Sequence, residues 1–149
     1  MSFLSKLFNK KDNTAAKKTF RRKIGDIGED IACEYLNSLG YNIISRNAQF
    51  SHKEIDIVAE NDEYTVIVEV KTLSCTQTHA ETEGKRASNQ IDREKAYNVM
   101  SAARSWCLRN YSGRTPRIDV IEVYLGDVPP KIVHLENAIN ERTLYRKRR

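Results

Sequence analysis

Residues Lys53–Lys71, KEIDIVAENDEYTVIVEVK, read as two β-strands joined by a tight connection, with charged side chains set inside both apolar patterns. Alternating Ile and Val over 54–60 and again over 63–71, with Asn61 and Asp62 between them, is the signature of a hairpin. Along the second strand Ile67, Glu69 and Lys71 share one face, while Val66, Val68 and Val70 take the other. An acid and a lysine projecting from the middle of such a strand are costly unless paired with each other or with a metal.

The connection allows two registers. A two-residue turn places Asp56 opposite Ile67 and diagonal to Glu69, whereas a four-residue loop places Asp56 directly opposite Glu69. Both put the two acids on one face, about 5 Å apart as direct partners or about 7–8 Å as diagonals. Glu54 falls on the Asp56 face by alternation. Two such carboxylates are hard oxygen ligands of the kind Mg2+ or Mn2+ takes while keeping waters for substrate oxygens to replace. Lys71 could then hold an attacking water or stabilise charge developing on phosphorus. Acid, acid and lysine together describe metal-assisted phosphodiester hydrolysis. The plainer alternative is a surface ion pair between Glu69 and Lys71, worth about 0–1 kcal/mol.

Outward from the hairpin, Ile27, Ile31, Ala32, Tyr35, Leu36 and Leu39 recur at three and four, predicting a helix over 25–39 stopped by Gly40. Glu29 lies at the flank of that stripe and can reach the edge of whatever the helix covers. YNIISR, residues 41–46, is a short strand. Residues 72–90 are almost free of apolar side chains and read as a long loop. A second helix is expected over 89–110, with Ile91, Val99, Ala102, Ala103 and Trp106 as its apolar stripe. Lys95 falls within that stripe, either snorkelling to solvent or aimed at the site of Lys71. RIDVIEVYL (117–125) and residues 131–135 complete the strands. The resulting order, αβββαββ, implies an α/β fold: a mixed sheet flanked by helices.

The 149 residues suit one core. The net charge of +5 is unevenly spread: residues 1–23 hold eight Lys/Arg against Asp12, residues 141–149 hold five against Glu141, and residues 24–140 are net −6. Residues 9–19 lack a period. The expected organisation is a flexible basic tail over 1–23, one domain over 24–140 and a basic C-terminal tail over 141–149. Basic arms on an acidic body suit polyanion binding by the arms and cation binding by the body. No run approaches the ~20 apolar residues of a membrane helix, and the lysine-interrupted start is no signal peptide, which points to the cytoplasm. Cys33, Cys75 and Cys107 form neither a CxxC pair nor a disulfide framework, and His52, His79 and His134 read as surface loop residues.

The runs GDIGEDIACEYLNSLGYNIISRN, EIDIVA, VIVEVKT, the helix carrying Lys95, RIDVIEV and HLENAI together resemble the YraN-type family of small bacterial proteins over about residues 24–139. That family is similar to Holliday junction resolvases of the PD-(D/E)xK nuclease superfamily. The resemblance implies a restriction-endonuclease-like fold and a Mg2+- or Mn2+-dependent nuclease acting on DNA, branched forms included. It makes Asp56, Glu69, Lys71 and Glu29 the catalytic candidates, with Asp56, Glu69 and Glu29 as metal ligands. Lys95, Arg46 and Lys53 are the candidate nucleic-acid contacts, and a homodimer is left open. Ile55 stands where the superfamily motif has proline, His52-Lys53 where glycines are usual, and Leu73 where an arginine is often found. His52 could compensate in part for that arginine. A non-catalytic nucleic-acid-binding or scaffold protein of the same fold is the alternative.

Overall fold

The computed structural model describes residues 3–50, 52–86, 89 and 91–145. Its elements are α1 (Phe3–Ser38), β1 (Asn42–Phe50), β2 (Lys53–Glu60), β3 (Tyr64–Leu73), α2 (Gln77–Thr82), α3 (Arg93–Arg109), β4 (Thr115–Tyr124), β5 (Lys131–Leu135) and α4 (Glu141–Tyr145). The strands form one sheet in the order β1-β2-β3-β4-β5. Only β3 and β4 run parallel. This is the expected mixed sheet flanked by helices, with two short helices added to the order αβββαββ. Its architecture is restriction-endonuclease-like.

The hairpin adopts the four-residue connection. Glu60 pairs with Thr65 and Ile57 with Val68, and continuing that ladder sets Asp56 opposite Glu69. Asn61 makes the turn, because its side-chain oxygen accepts the amides of Glu63 and Tyr64 at 3.0 and 2.8 Å. Alternation then assigns the faces. Ile57, Ala59, Val66, Val68, Ile121 and Val123 pack under α1, while Val58 and Ile67 pack under Ala102, Ala103 and Trp106 of α3.

Two stripe positions predicted for α1 prove wrong. Ile27 and Leu39 are about half exposed, at 49% and 51%, and the buried line runs instead through Gly28, Ala32 and Leu36. Gly28 belongs to it because the helix touches the sheet there: a Cβ would lie within 3 Å of three Thr72 side-chain atoms. Gly28→Ala should therefore destabilise the fold by about 1–3 kcal/mol, read as a lowered denaturation midpoint. An unchanged midpoint would mean that α1 does not hold this approach. The helix stops as expected at Gly40, whose φ is +86°. There Tyr41 N–H reaches Leu36 C=O and Gly40 N–H reaches Asn37 C=O, both at 3.0 Å, which satisfies the terminal carbonyls.

At its other end α1 is much longer than predicted, for residues 9–19 are helical too. Period alone missed this segment, although neither Gly nor Pro interrupts Phe3–Ile24. The polar run 72–90 is likewise not a plain loop. Thr76 caps α2, Ala80 is fully buried, and Leu125 and Gly126 donate their amides to Leu73 and Cys75. Those two backbone bonds anchor it without calling on apolar side chains, and its sequence stays polar. Helix α3 starts at Arg93 rather than 89 because Asp92 caps it, accepting Lys95 N–H at 2.8 Å. The predicted C-terminal tail opens with α4, whose Leu144 packs beside Ile139 and Val99. Residues 146–149 lie outside the described residues.

His134 is not on a surface loop but in β5, with its side chain 7% exposed, and its Nε2 lies 2.8 Å from Asp119. Asp119 is fully buried and accepts two further bonds from Arg117 at 2.8 and 2.9 Å and one from the Asn137 amide at 2.8 Å. Arg117 also donates to the Tyr41 hydroxyl at 2.9 Å and lies over the Tyr64 ring. The cluster ties β4, β5 and the end of α1 together.

Candidate active site

Where β2 parts from β3 beyond Ile57, the carboxylate of Asp56 takes the next ladder amide, accepting Val70 N–H at 2.7 Å. Glu69, 4% exposed, projects toward α3. Its Oε1 receives two ammonium groups: Lys71 Nζ at 2.7 Å and Lys95 Nζ at 2.8 Å. Burying a lone carboxylate costs several kcal/mol, and here two lysines offset that cost. The capped first turn of α3 fixes the second of them. Of the two readings of Lys95, the structure gives the one in which it shares the site of Lys71.

Burial pushes the Asp56 carboxyl up to about 7, reinforced by the Glu69 charge and opposed by the Val70 amide. The folded protein thus holds a proton on Asp56 that the unfolded chain gives up near pH 4. In metal-free protein this group's contribution to stability should fall as pH rises from about 4 to about 7. Asp56→Asn should flatten that slope in denaturation measured across the range. An unaltered slope would contradict the assignment.

Glu29 stands in electrostatic reach of Asp56 but is engaged elsewhere. It accepts from Asn47 at 3.1 Å and faces Arg46 at 3.7 Å, and burial raises its carboxyl above the usual range. Asp56, Glu69, Lys71 and Lys95 therefore form one constellation, with Glu29 beside it. The other two cationic candidates do not join it. Arg46 is held by Asp30 at 2.7 Å, and Lys53 lies 5.6 Å from the centre of the Tyr97 ring. His52 sits at the exposed β1–β2 turn with φ +66°.

Sequence reading passed over Glu122, which is fully buried and pairs with Lys71 in the parallel ladder, so both point to the α3 side. It accepts the Tyr124 hydroxyl at 2.7 Å and Arg86 Nη2 at 3.4 Å. The signal was present: RIDVIEVYL sets an acid between apolar neighbours, as VIVEVK does. Arg86, inside a polar run, offered none.

Among the described residues no group of three or more His, Cys, Asp or Glu is arranged to hold a metal. What is present is a pair of carboxylates close enough that one raises the pKa of the other. A divalent cation relieves such repulsion, and a pair of hard oxygen donors fits the few-carboxylate binding of Mg2+.

The fold and this acid, acid and lysine cluster define a restriction-endonuclease-like α/β protein. Within that class the chain belongs to the uncharacterised protein family UPF0102, whose model matches residues 28–123. It is 34% identical over 122 residues to a UPF0102 protein of Dehalococcoides mccartyi, covering 81% of this chain and 96% of that one. A UPF0102 protein of Alkaliphilus oremlandii is 36% identical over 120 residues, 78% of this chain and 97% of the relative. One from Persephonella marina is 35% identical over 117 residues, 78% and 92% respectively. Among the described residues no helix is long and apolar enough to cross a membrane.

Proposed function

We propose that this protein is a divalent-metal-dependent nuclease that hydrolyses phosphodiester bonds in DNA, branched forms included. The observation that carries this reading is the convergence of Lys71 and Lys95 on the buried Glu69, one strand from the Asp56 carboxyl that accepts the Val70 amide. Asp56 and Glu69 would hold Mg2+ or Mn2+, with Glu29 as an auxiliary ligand once released from Asn47. The cation, when bound, supplies Lewis-acid polarisation of the phosphate. Lys71 orients the attacking water or neutralises charge on the phosphoryl oxygens, with Lys95 as the second cation. The basic segments 1–23 and 141–149 add phosphate contacts without sequence preference, with the site carried by residues 24–140.

A second reading rests on the same carboxylate. Glu69 is already satisfied by two ammonium groups, as it would be in a protein of this fold that binds nucleic acid without cutting it. Labelled duplex, single-stranded and four-way DNA, each incubated with the protein in Mg2+, Mn2+ or EDTA, separates the two. The nuclease reading expects nicking in either metal and none in EDTA. Retarded but intact DNA in every lane would favour the second.

A further inference from the structure

Arg86 precedes α3 and reaches across to β4 on the same side of the sheet as Glu69 and Lys71. Its contacts are unusual for a structural ion pair. Glu122 is fully buried and its Oε2 is held by the Tyr124 hydroxyl at 2.7 Å, yet the guanidinium approaches that oxygen only to 3.4 Å, the outer limit of a hydrogen bond. Arg86 Nε is buried without a hydrogen-bond partner. An unmet buried donor is destabilising, and more so when it belongs to a charged group. The Arg86 side chain is nevertheless 31% exposed, so part of it, although not Nε, meets solvent.

Three cations, Lys71, Lys95 and Arg86, meet the buried carboxylates of Glu69 and Glu122, with Asp56 one strand further on. The ladder partnership of Lys71 with Glu122 sets Arg86 beside Lys71, on the side away from Asp56. A planar, part-exposed guanidinium next to Lys71 suits a tetrahedral oxyanion.

We infer that Arg86, oriented by Glu122 and Tyr124, forms an anion subsite that binds a phosphodiester group of the substrate strand next to the one at Lys71. The choice of a nucleic-acid phosphate rests on the proposed nuclease reading; the anion subsite itself rests on the geometry. Glu122 and Tyr124 are positioning residues, acting through Arg86.

Full-length, metal-free protein labelled with 15N, with the Arg86 Nε–H resonance assigned by comparison with Arg86→Lys, tests this directly. Titration with a thymidine tetranucleotide should move that resonance saturably, and inorganic phosphate should move it only at much higher concentration. Arg86→Gln should weaken tetranucleotide binding about tenfold and lower the salt dependence of DNA binding by about one phosphate contact. In cleavage assays it should raise KM more than it lowers kcat. A purely structural Arg86 would instead lower the Tm of Arg86→Gln and leave the affinity of the folded protein alone.

A resonance unmoved by either anion overturns the subsite, whatever the cleavage assays give. Equal response to free phosphate and to the tetranucleotide overturns its assignment to a nucleic-acid strand. A saturable shift with the tetranucleotide in a protein that cuts nothing upholds the subsite and removes the nuclease reading alone.

Discussion

Lys71→Ala should lower single-turnover DNA cleavage by at least about 10²-fold, the scale on which removal of one preorganised charge-stabilising donor acts. The loss should fall on the chemical step. Lys71 Nζ sits 2.7 Å from Glu69 Oε1, and its removal leaves Glu69 with Lys95 at 2.8 Å, so the carboxylate remains neutralised and the fold should persist. The Lys71 side chain is about one-third exposed, which limits its share in stability. Unfolding midpoints of parent and variant should lie close together while rates diverge. A variant that cuts at the parental rate would show that Lys71 serves only to cover Glu69. One that is unfolded would make it a structural counter-ion.

Asp119→Ala should have the largest effect on stability, about 3–5 kcal/mol, because it leaves the buried Arg117 with only its longer, 3.4 Å ion pair to the exposed Glu136. Arg117 has an 11% exposed side chain and spends two hydrogen bonds on Asp119. His134 and the Asn137 amide lose their acceptor as well. Burial pulls the Asp119 carboxyl upward, but the bonds from His134, Arg117 and Asn137 prevail and hold it below the usual carboxylate range. Its folded-state pKa is thus depressed, so its contribution is present at neutral pH and is lost as pH falls through that lowered value. Chemical denaturation at pH 7 should expose the deficit. A change under about 1 kcal/mol would mean that the network relaxes around the gap.

The fold was legible where side chains alternate or recur. The Ile and Val alternation of 54–71 placed both strands, and the Asn61 turn decided between two registers only through side-chain hydrogen bonds that the pattern does not carry. Apolar period located α3 and its buried face. It misassigned Ile27 and Leu39, because the close approach of α1 at Gly28 depends on an absent side chain rather than a present one. The helical 9–19 segment and α2 escaped for the opposite reason, being polar sequences that carry no apolar period.

Within the site, acids inside apolar strands were the strongest signal, and Asp56, Glu69 and Lys71 met as alternation required. The same signal at Glu122 and Asp119 went unused, since one belongs to an arginine distant in sequence and the other to a histidine taken for a loop residue. Arg46 and Lys53 lie against Asp30 and the Tyr97 ring, neighbours that their long side chains do not announce in the sequence.

Under the proposed function Asp56 and Glu69 should share a divalent cation that drives DNA cleavage. Calorimetric titration of Mn2+ into parent and Asp56→Asn protein at pH 8, with cleavage of four-way and duplex DNA measured on the same samples, tests it most directly. The parent should bind the metal with release of the Asp56 proton as pH is lowered toward 7, and should cut. Asp56→Asn should do neither while remaining folded. Undiminished metal binding and cleavage by Asp56→Asn would contradict the account.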